Sequence, residues 1–248
     1  MKCKKIILSA IAIMCLSHSV LYAEEELPKD KPGTAVFVML TKDNNRISVA
    51  TNFIEETTNH LQINIKMPVM NNFKNKWFQK KLNKTIKKNQ LFLKKTIGKD
   101  AIQNYQYATP KGYPVLPYEL MTNYHVKSNN DIFSLEITIY DYRGGAHGMT
   151  TKTYYNIDTN TSKMICLKDI VSEEVLNQEI QRQINERYAK GEMFFDEALE
   201  FKGINKNQSF YMTEEGQLVI VFGLYEIAPY AAGILEFPIP KEIINSYD

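Results

Sequence analysis

Residues 133–157 read FSLEITIYDYRGGAHGMTTKTYYNI, and this stretch decides the fold. Phe133, Leu135, Ile137 and Ile139 alternate with Ser134, Glu136, Thr138 and Tyr140, the period-two pattern of a strand with one apolar face. A half-buried antiparallel strand is therefore predicted. Residues 151–157 supply its hairpin partner, and Arg143-Gly144-Gly145-Ala146-His147-Gly148 turns between them.

Upstream, Ile47-Ser48-Val49-Ala50-Thr51 and Leu61-Gln62-Ile63-Asn64-Ile65 show the same alternation and predict two more strands. Between residue 72 and about residue 97 the period changes. Phe78, Leu82, Ile86, Leu93 and Ile97 recur near every 3.6 residues, with Phe73 and Trp77 widening the apolar stripe, so a long amphipathic helix is expected. Downstream, Ser172 followed by Glu173 and Glu174 reads as a helix start, with Val175, Ile180, Ile184 and Tyr188 as its apolar stripe. Leu218-Val219-Ile220-Val221-Phe222 is apolar throughout, as in a strand covered on both faces. These elements predict an α+β fold of antiparallel sheets with packed helices, in two small subdomains.

The chain has 248 residues, 44% hydrophobic and 23% charged, with 11 Gly and 9 Pro, which excludes disordered, collagenous and coiled-coil classes. Residues 1–23 have the three parts of an export signal: lysines near the start, an apolar run from Ile6 to Met14, and Leu21-Tyr22-Ala23 as a cut site. That run is too short to span a bilayer, and no later stretch reaches about 20 apolar residues. The expected product is exported, periplasmic or extracellular, without a transmembrane anchor. Residues 24–33 read as a flexible polar lead. With Cys3 and Cys15 removed, Cys166 is the remaining thiol, expected as a small buried hydrophobe.

Charge is divided unevenly. Residues 24–110 hold 15 Lys and Arg against 8 Asp and Glu, a net of +7, whereas residues 111–248 hold 12 against 20, a net of −8. Much of the positive charge lies on the predicted long helix, at Lys74, Lys76, Lys80, Lys81, Lys84, Lys87, Lys88, Lys94 and Lys95. Such a face suits an anionic wall polymer or membrane surface, but a solvated outer face is the ordinary reading for an amphipathic helix. Export argues against a nucleic-acid partner.

No HExxH, CxxC, GxSxG or P-loop pattern occurs, so no metal, no cofactor and no catalytic residue is assigned. Two segments stand out. Gly144, Gly145 and Gly148 give the backbone around His147 room for positive φ and for close approach of a ligand. The histidine fits a tight turn better than acid–base work, because no carboxylate or nucleophile sits at a recognisable spacing. Tyr225-Glu226-Ile227-Ala228-Pro229-Tyr230-Ala231-Ala232-Gly233 places two tyrosines on a loop stiffened by Pro229, a pattern that serves either a sheet edge or an interface.

Asp141-Tyr142-Arg143-Gly144-Gly145-Ala146-His147-Gly148, then Tyr155-Asn156-Ile157-Asp158 leading to Leu167-Lys168-Asp169-Ile170, then the segment from Tyr225 to Gly233, resemble in order and spacing the RsiV-like domain of unknown function. The strands and cationic helix before them are similar to the small domain that precedes it in anti-sigma factors of this kind and in PdaC-type peptidoglycan deacetylases. The resemblance implies residues 34–110 as a PdaC-N-terminal-like subdomain and residues 111–248 as the RsiV-like domain. It implies an extracytoplasmic module that in the anti-sigma factor binds lysozyme. No sigma-binding segment, membrane helix or deacetylase domain accompanies it here, so neither of those activities is expected.

The favoured expectation is thus an exported, non-catalytic binding or sensing module for a cell-envelope component or a cationic protein such as lysozyme. Gly144, Gly145, His147, Tyr225, Pro229 and Tyr230 are its expected ligand-binding residues. The alternative is a peptidoglycan-active hydrolase or deacetylase-like enzyme with His147 as base and Asp141 or Glu226 assisting.

Overall fold

The computed structural model describes residues 21–23, 36–40 and 46–244. The export signal up to residue 20 and the polar lead at residues 24–33 lie outside the described residues. Among the described residues the fold is α+β, with two sheets. The larger runs in chain order: β1 (Leu21–Ala23), β2 (Val36–Leu40), β3 (Ser48–Thr57), β4 (Leu61–Asn71), β5 (Tyr118–Asn129), β6 (Ile132–Tyr142), β7 (Met149–Asp158) and β8 (Lys163–Met164). The smaller consists of β9 (Ser209–Met212), β10 (Leu218–Phe222) and β11 (Leu235–Ile239), with the wholly buried β10 in the middle.

All neighbouring strands pair antiparallel except β4 and β5, which are parallel. A parallel pair cannot be joined by a tight turn, and helix α1 (Lys76–Ala108) makes the crossover. Asn75 caps it, its side-chain oxygen accepting the Phe78 N–H at 3.0 Å. Asn83 fastens it to the sheet, accepting the Met70 N–H at 3.0 Å and donating to the Met70 carbonyl at 2.8 Å.

The helix runs beyond the expected end at residue 97. Gly98 does not stop it because it packs against Leu61, and Ala101 and Ala108 continue the buried stripe. Pro110 and Gly112, at φ 69°, end it. Trp77 departs from expectation: it is 69% exposed and faces away from the core, whereas Phe73, ahead of the cap, is fully buried. The cap at Asn75 puts Trp77 inside the helix, and at 100° per residue it then lies opposite Ile86.

Two cores form. The first gathers residues from Ile47 to Ile157, with Ile65, Met70, Phe73, Ile86, Phe133 and Leu135 at its centre. The second runs from Leu167 to Ile239 and packs α2 (Glu173–Ala189) and α3 (Asp196–Leu199) against β9 to β11. The packing therefore changes over between Ile157 and Leu167, well beyond residue 110. Ser172 caps α2 as read, accepting the Val175 N–H. Leu176 is buried beside Ile180 and Ile184, while Tyr188 is exposed. Cys166 is exposed too, against expectation, because it caps a short 3-10 turn in which Asp169 accepts its N–H at 3.0 Å.

Strand β6 is half-buried only in part. Residues 133–137 are all buried, Ser134 and Glu136 included, because β9 covers the face opposite α1. The outer edge of β9 has no strand partner and is satisfied by side chains instead. The Met212 N–H donates to Ser134 Oγ at 3.0 Å, Ser134 donates to Asn156 Oδ1 at 2.7 Å, and Asn156 Nδ2 donates to the Phe210 carbonyl at 2.7 Å. Beside this chain, Glu136 accepts from Tyr154 at 3.1 Å and Thr138 at 3.0 Å, and pairs with Lys127 at 3.1 Å and Lys152 at 3.3 Å. Tyr154 stacks on Tyr211 of β9, whose hydroxyl donates to Glu236 of β11 at 2.9 Å.

Burial works against the Glu136 charge. The Lys127 hydrogen bond and the Lys152 and Lys127 charges outweigh it and hold the carboxyl below its ordinary range. A carboxylate lowered by folding stabilises fully above its ordinary pKa, and the contribution is lost as pH falls through the folded value. Glu136→Gln is thus expected to lose roughly 2–4 kcal/mol at pH 7. Its urea midpoint should fall less steeply than the parent's on going from pH 5 to pH 3; parallel pH profiles would show that Glu136 does not set this limb. Asn156→Ala strands the Phe210 carbonyl and Ser134, and should cost about 2–3 kcal/mol in the same measurement.

Candidate functional site

The β6–β7 hairpin and the β10–β11 loop meet. Gly144 and Gly145 at the hairpin tip have φ 87° and 93°, conformations that glycine adopts without strain. The Tyr142 hydroxyl donates to the Gly145 carbonyl at 3.1 Å and closes the turn. Arg143 fixes its base: the guanidinium donates to Asp141 Oδ2 at 3.0 and 3.2 Å and to Asp100 Oδ2 of α1 at 2.5 Å. Gly148 is glycine for a different reason. A Cβ there would lie 2.5 Å from the Tyr140 ring.

On the other loop, Pro229 at φ −65° starts a 3-10 turn of Tyr230–Ala232, and Gly233 at φ 74° ends it. Tyr225 adopts φ 63°, a strained value for a side-chain-bearing residue. Glu226 supports it, accepting the Gly223 N–H at 2.7 Å and the Asn205 and Gln208 amides at 3.2 Å each.

The two segments join through His147 and Tyr230, 83 positions apart. Their rings stack with centroids 3.9 Å apart and planes at 21°, and the Tyr230 hydroxyl donates to the Gly148 carbonyl at 3.1 Å. His147 Nδ1 lies 3.1 Å from the same carbonyl. A carbonyl only accepts, so Nδ1 is the donor in this contact. Tyr225 extends the row, its ring 5.8 Å from that of Tyr230, and is 48% exposed.

The sequence expectations thus meet in one place: His147, Tyr225 and Tyr230 form a row of rings, Gly144 and Gly145 make the bend that presents it, and Pro229 sets the second loop. Tyr140 and Tyr142 were not singled out in the sequence, although their i, i+2 spacing places them on one face of β6 beside the turn. Burial, Glu119, Tyr230 and Tyr142 push the Tyr140 phenol up from its ordinary value. Asp141 and Glu226, the carboxylates considered as helpers for His147, are engaged by Arg143 and by the Gly223, Asn205 and Gln208 groups respectively. Among the described residues, no group of three or more His, Cys, Asp or Glu is placed to hold a metal ion.

A double-mutant cycle measures the junction. His147→Ala and Tyr230→Ala should couple by about 0.5–1.5 kcal/mol in unfolding free energy, and Tyr230→Phe should lose about 0.5–1.5 kcal/mol through its hydroxyl alone. Strictly additive single mutants would mean that the stacked rings do not support one another.

The family model described as Deacetylase PdaC matches residues 54–150, and the model described as Protein of unknown function (DUF3298) matches residues 167–242. The chain is 27% identical to Anti-sigma-V factor RsiV of Bacillus subtilis (strain 168) over 215 residues, 81% of this chain and 71% of that one. The crystal structure of a DUF3298 family member from Bacteroides fragilis NCTC 9343 shares the fold at TM-score 0.62 and 20% identity, covering 80% of this chain and 92% of the other. A DUF3298 family protein from Pseudomonas aeruginosa PAO1 is 18% identical at TM-score 0.46, covering 87% and 94%. His147 lies three residues before the end of the first matched region and Tyr230 lies inside the second, so the stacked rings join the two. Both matched regions, in this order, and the similarity to the anti-sigma factor support an RsiV-like domain family for this chain.

Proposed function

We propose that the chain is an extracytoplasmic, non-catalytic binding or sensing module, and that the row formed by His147, Tyr230 and Tyr225 is its recognition surface. The ligand in this reading is a cell-envelope component or a cationic protein such as lysozyme. The observation that carries it is the stack of His147 on Tyr230, which unites the two glycine-bearing loops beside the exposed Tyr225. Rigid aromatic anchors on braced loops lose little freedom on binding, which is why tyrosines dominate interface energetics.

Charge supports a cationic partner. The half of the chain from residue 111 onward, which supplies both loops, has a net charge of −8, and opposite charge accelerates encounter. The relative's name, anti-sigma factor, belongs to a signalling protein; the sensing part of that role is what is carried over here. Location outside the cytoplasm rests on the leader read in residues 1–23.

Isothermal titration with c-type lysozyme tests the proposal. Binding is expected to weaken by roughly thirtyfold in Tyr230→Ala or Tyr225→Ala and to associate more slowly as salt rises. Binding that ignores both substitutions removes these loops from the interface, and no heat at all removes this ligand. Muropeptide turnover that disappears in His147→Ala would replace the binding reading with the enzymatic one.

A further inference from the structure

We propose that the outward face of α1 is a docking surface for an anionic lipid bilayer. It is independent of the His147 and Tyr230 loops and of whatever they bind. Leu82, Ile86, Ile97 and Ala101 point inward. At 100° per residue, Trp77, Lys81, Lys84, Lys88, Lys95 and Lys99 fall in one narrow arc on the opposite side, and all six are exposed. From Trp77 to Lys99 the arc spans 22 residues, so this face is about 33 Å long.

Its charge is not neutralised from within the helix. Asp100 is the one acidic residue of α1, and Arg143 holds it. Charge alone would suit a soluble polyanion or plain solvent equally well. The rings decide for a bilayer. Trp77 is 69% and Phe92 66% exposed, and Leu91 and Ile102 are exposed beside the lysines. On a merely solvated face these positions would be polar. Lysine heads that meet lipid phosphates while Trp77 and Phe92 enter the headgroup boundary account for both residue types at once. Lys81 already sits over the Trp77 ring, 5.1 Å from its centre, which shows the two side chains sharing one patch.

Trp77 is the single tryptophan of the chain and is therefore a built-in reporter. With phosphatidylcholine vesicles containing roughly one third phosphatidylglycerol, the full chain should co-sediment and Trp77 emission should shift to the blue; both effects should be lost near about 0.5 M NaCl. The single tryptophan lies on α1 and residues 1–23 contain none, so the emission shift reports on α1 rather than on the apolar run from Ile6 to Met14. The combined Lys81→Glu, Lys84→Glu, Lys88→Glu and Lys95→Glu variant should bind at least about a hundredfold more weakly. Glutamine at the same four positions should give an intermediate loss and serves if the glutamate variant does not fold. Trp77→Ala should weaken sedimentation by about tenfold at unchanged charge. Equal binding to pure phosphatidylcholine, or no effect of the lysine substitutions on folded protein, overturns the proposal. Binding to soluble polyphosphate with neither vesicle binding nor an emission shift overturns it as well and assigns the face to an anionic polymer.

Discussion

The docking of β9 onto the face of β6 and β7 is the constraint on which the rest of the molecule depends. Met212 and Phe210 present backbone groups that a neighbouring strand would normally satisfy, and Ser134 and Asn156 satisfy them instead from within the larger sheet. All four residues are buried, so these bonds exchange poorly with water and are costly to leave unmade. They bind residues 78 and 54 positions apart, one pair in each case. Because β9 pairs with β10 and β6 with β7, the same contact fixes where the β10–β11 loop leaves the small sheet relative to the hairpin tip. The meeting of His147 with Tyr230 is an outcome of that fit.

The local patterns were legible because period alone determines them. Phe133, Leu135 and Ile137 face the first core as their alternation says, and Ser172 caps its helix as its chemistry says. What could not be read is whatever depends on partners far along the chain. Ser134 and Glu136 look solvent-facing in isolation and are buried because β9 arrives later. Trp77 is a different case, since the 100° spacing already sets it on the side of α1 opposite Ile86 and its exposure follows from the period itself. Cys166 looks like a core residue between Ile165 and Leu167, yet it stands at the start of a 3-10 turn.

The loops themselves were visible as glycine, proline and tyrosine signals. Their union was not, since no local rule relates residues 82 positions apart. Family resemblance flagged both segments without saying that they touch. The structure adds the supports: Arg143 between Asp141 and Asp100, Tyr140 over Gly148, and Glu226 under the strained Tyr225. The Arg143–Asp100 bond spans 43 positions, and no spacing rule relates the two, whereas the Asp141 and Gly223 bonds are local and lie within the segments already marked.

The parallel pairing of β4 with β5 orders the assembly of the molecule in time. The β3–β4 and β6–β7 ladders are closed by short turns and can zip locally, whereas Ile63 meets Leu120 only after the intervening segment has been gathered in. Until then β4 presents an unpaired apolar edge of the kind that drives aggregation. Rapid coiling of α1, itself a local event, shortens that interval by bringing β5 back beside β4.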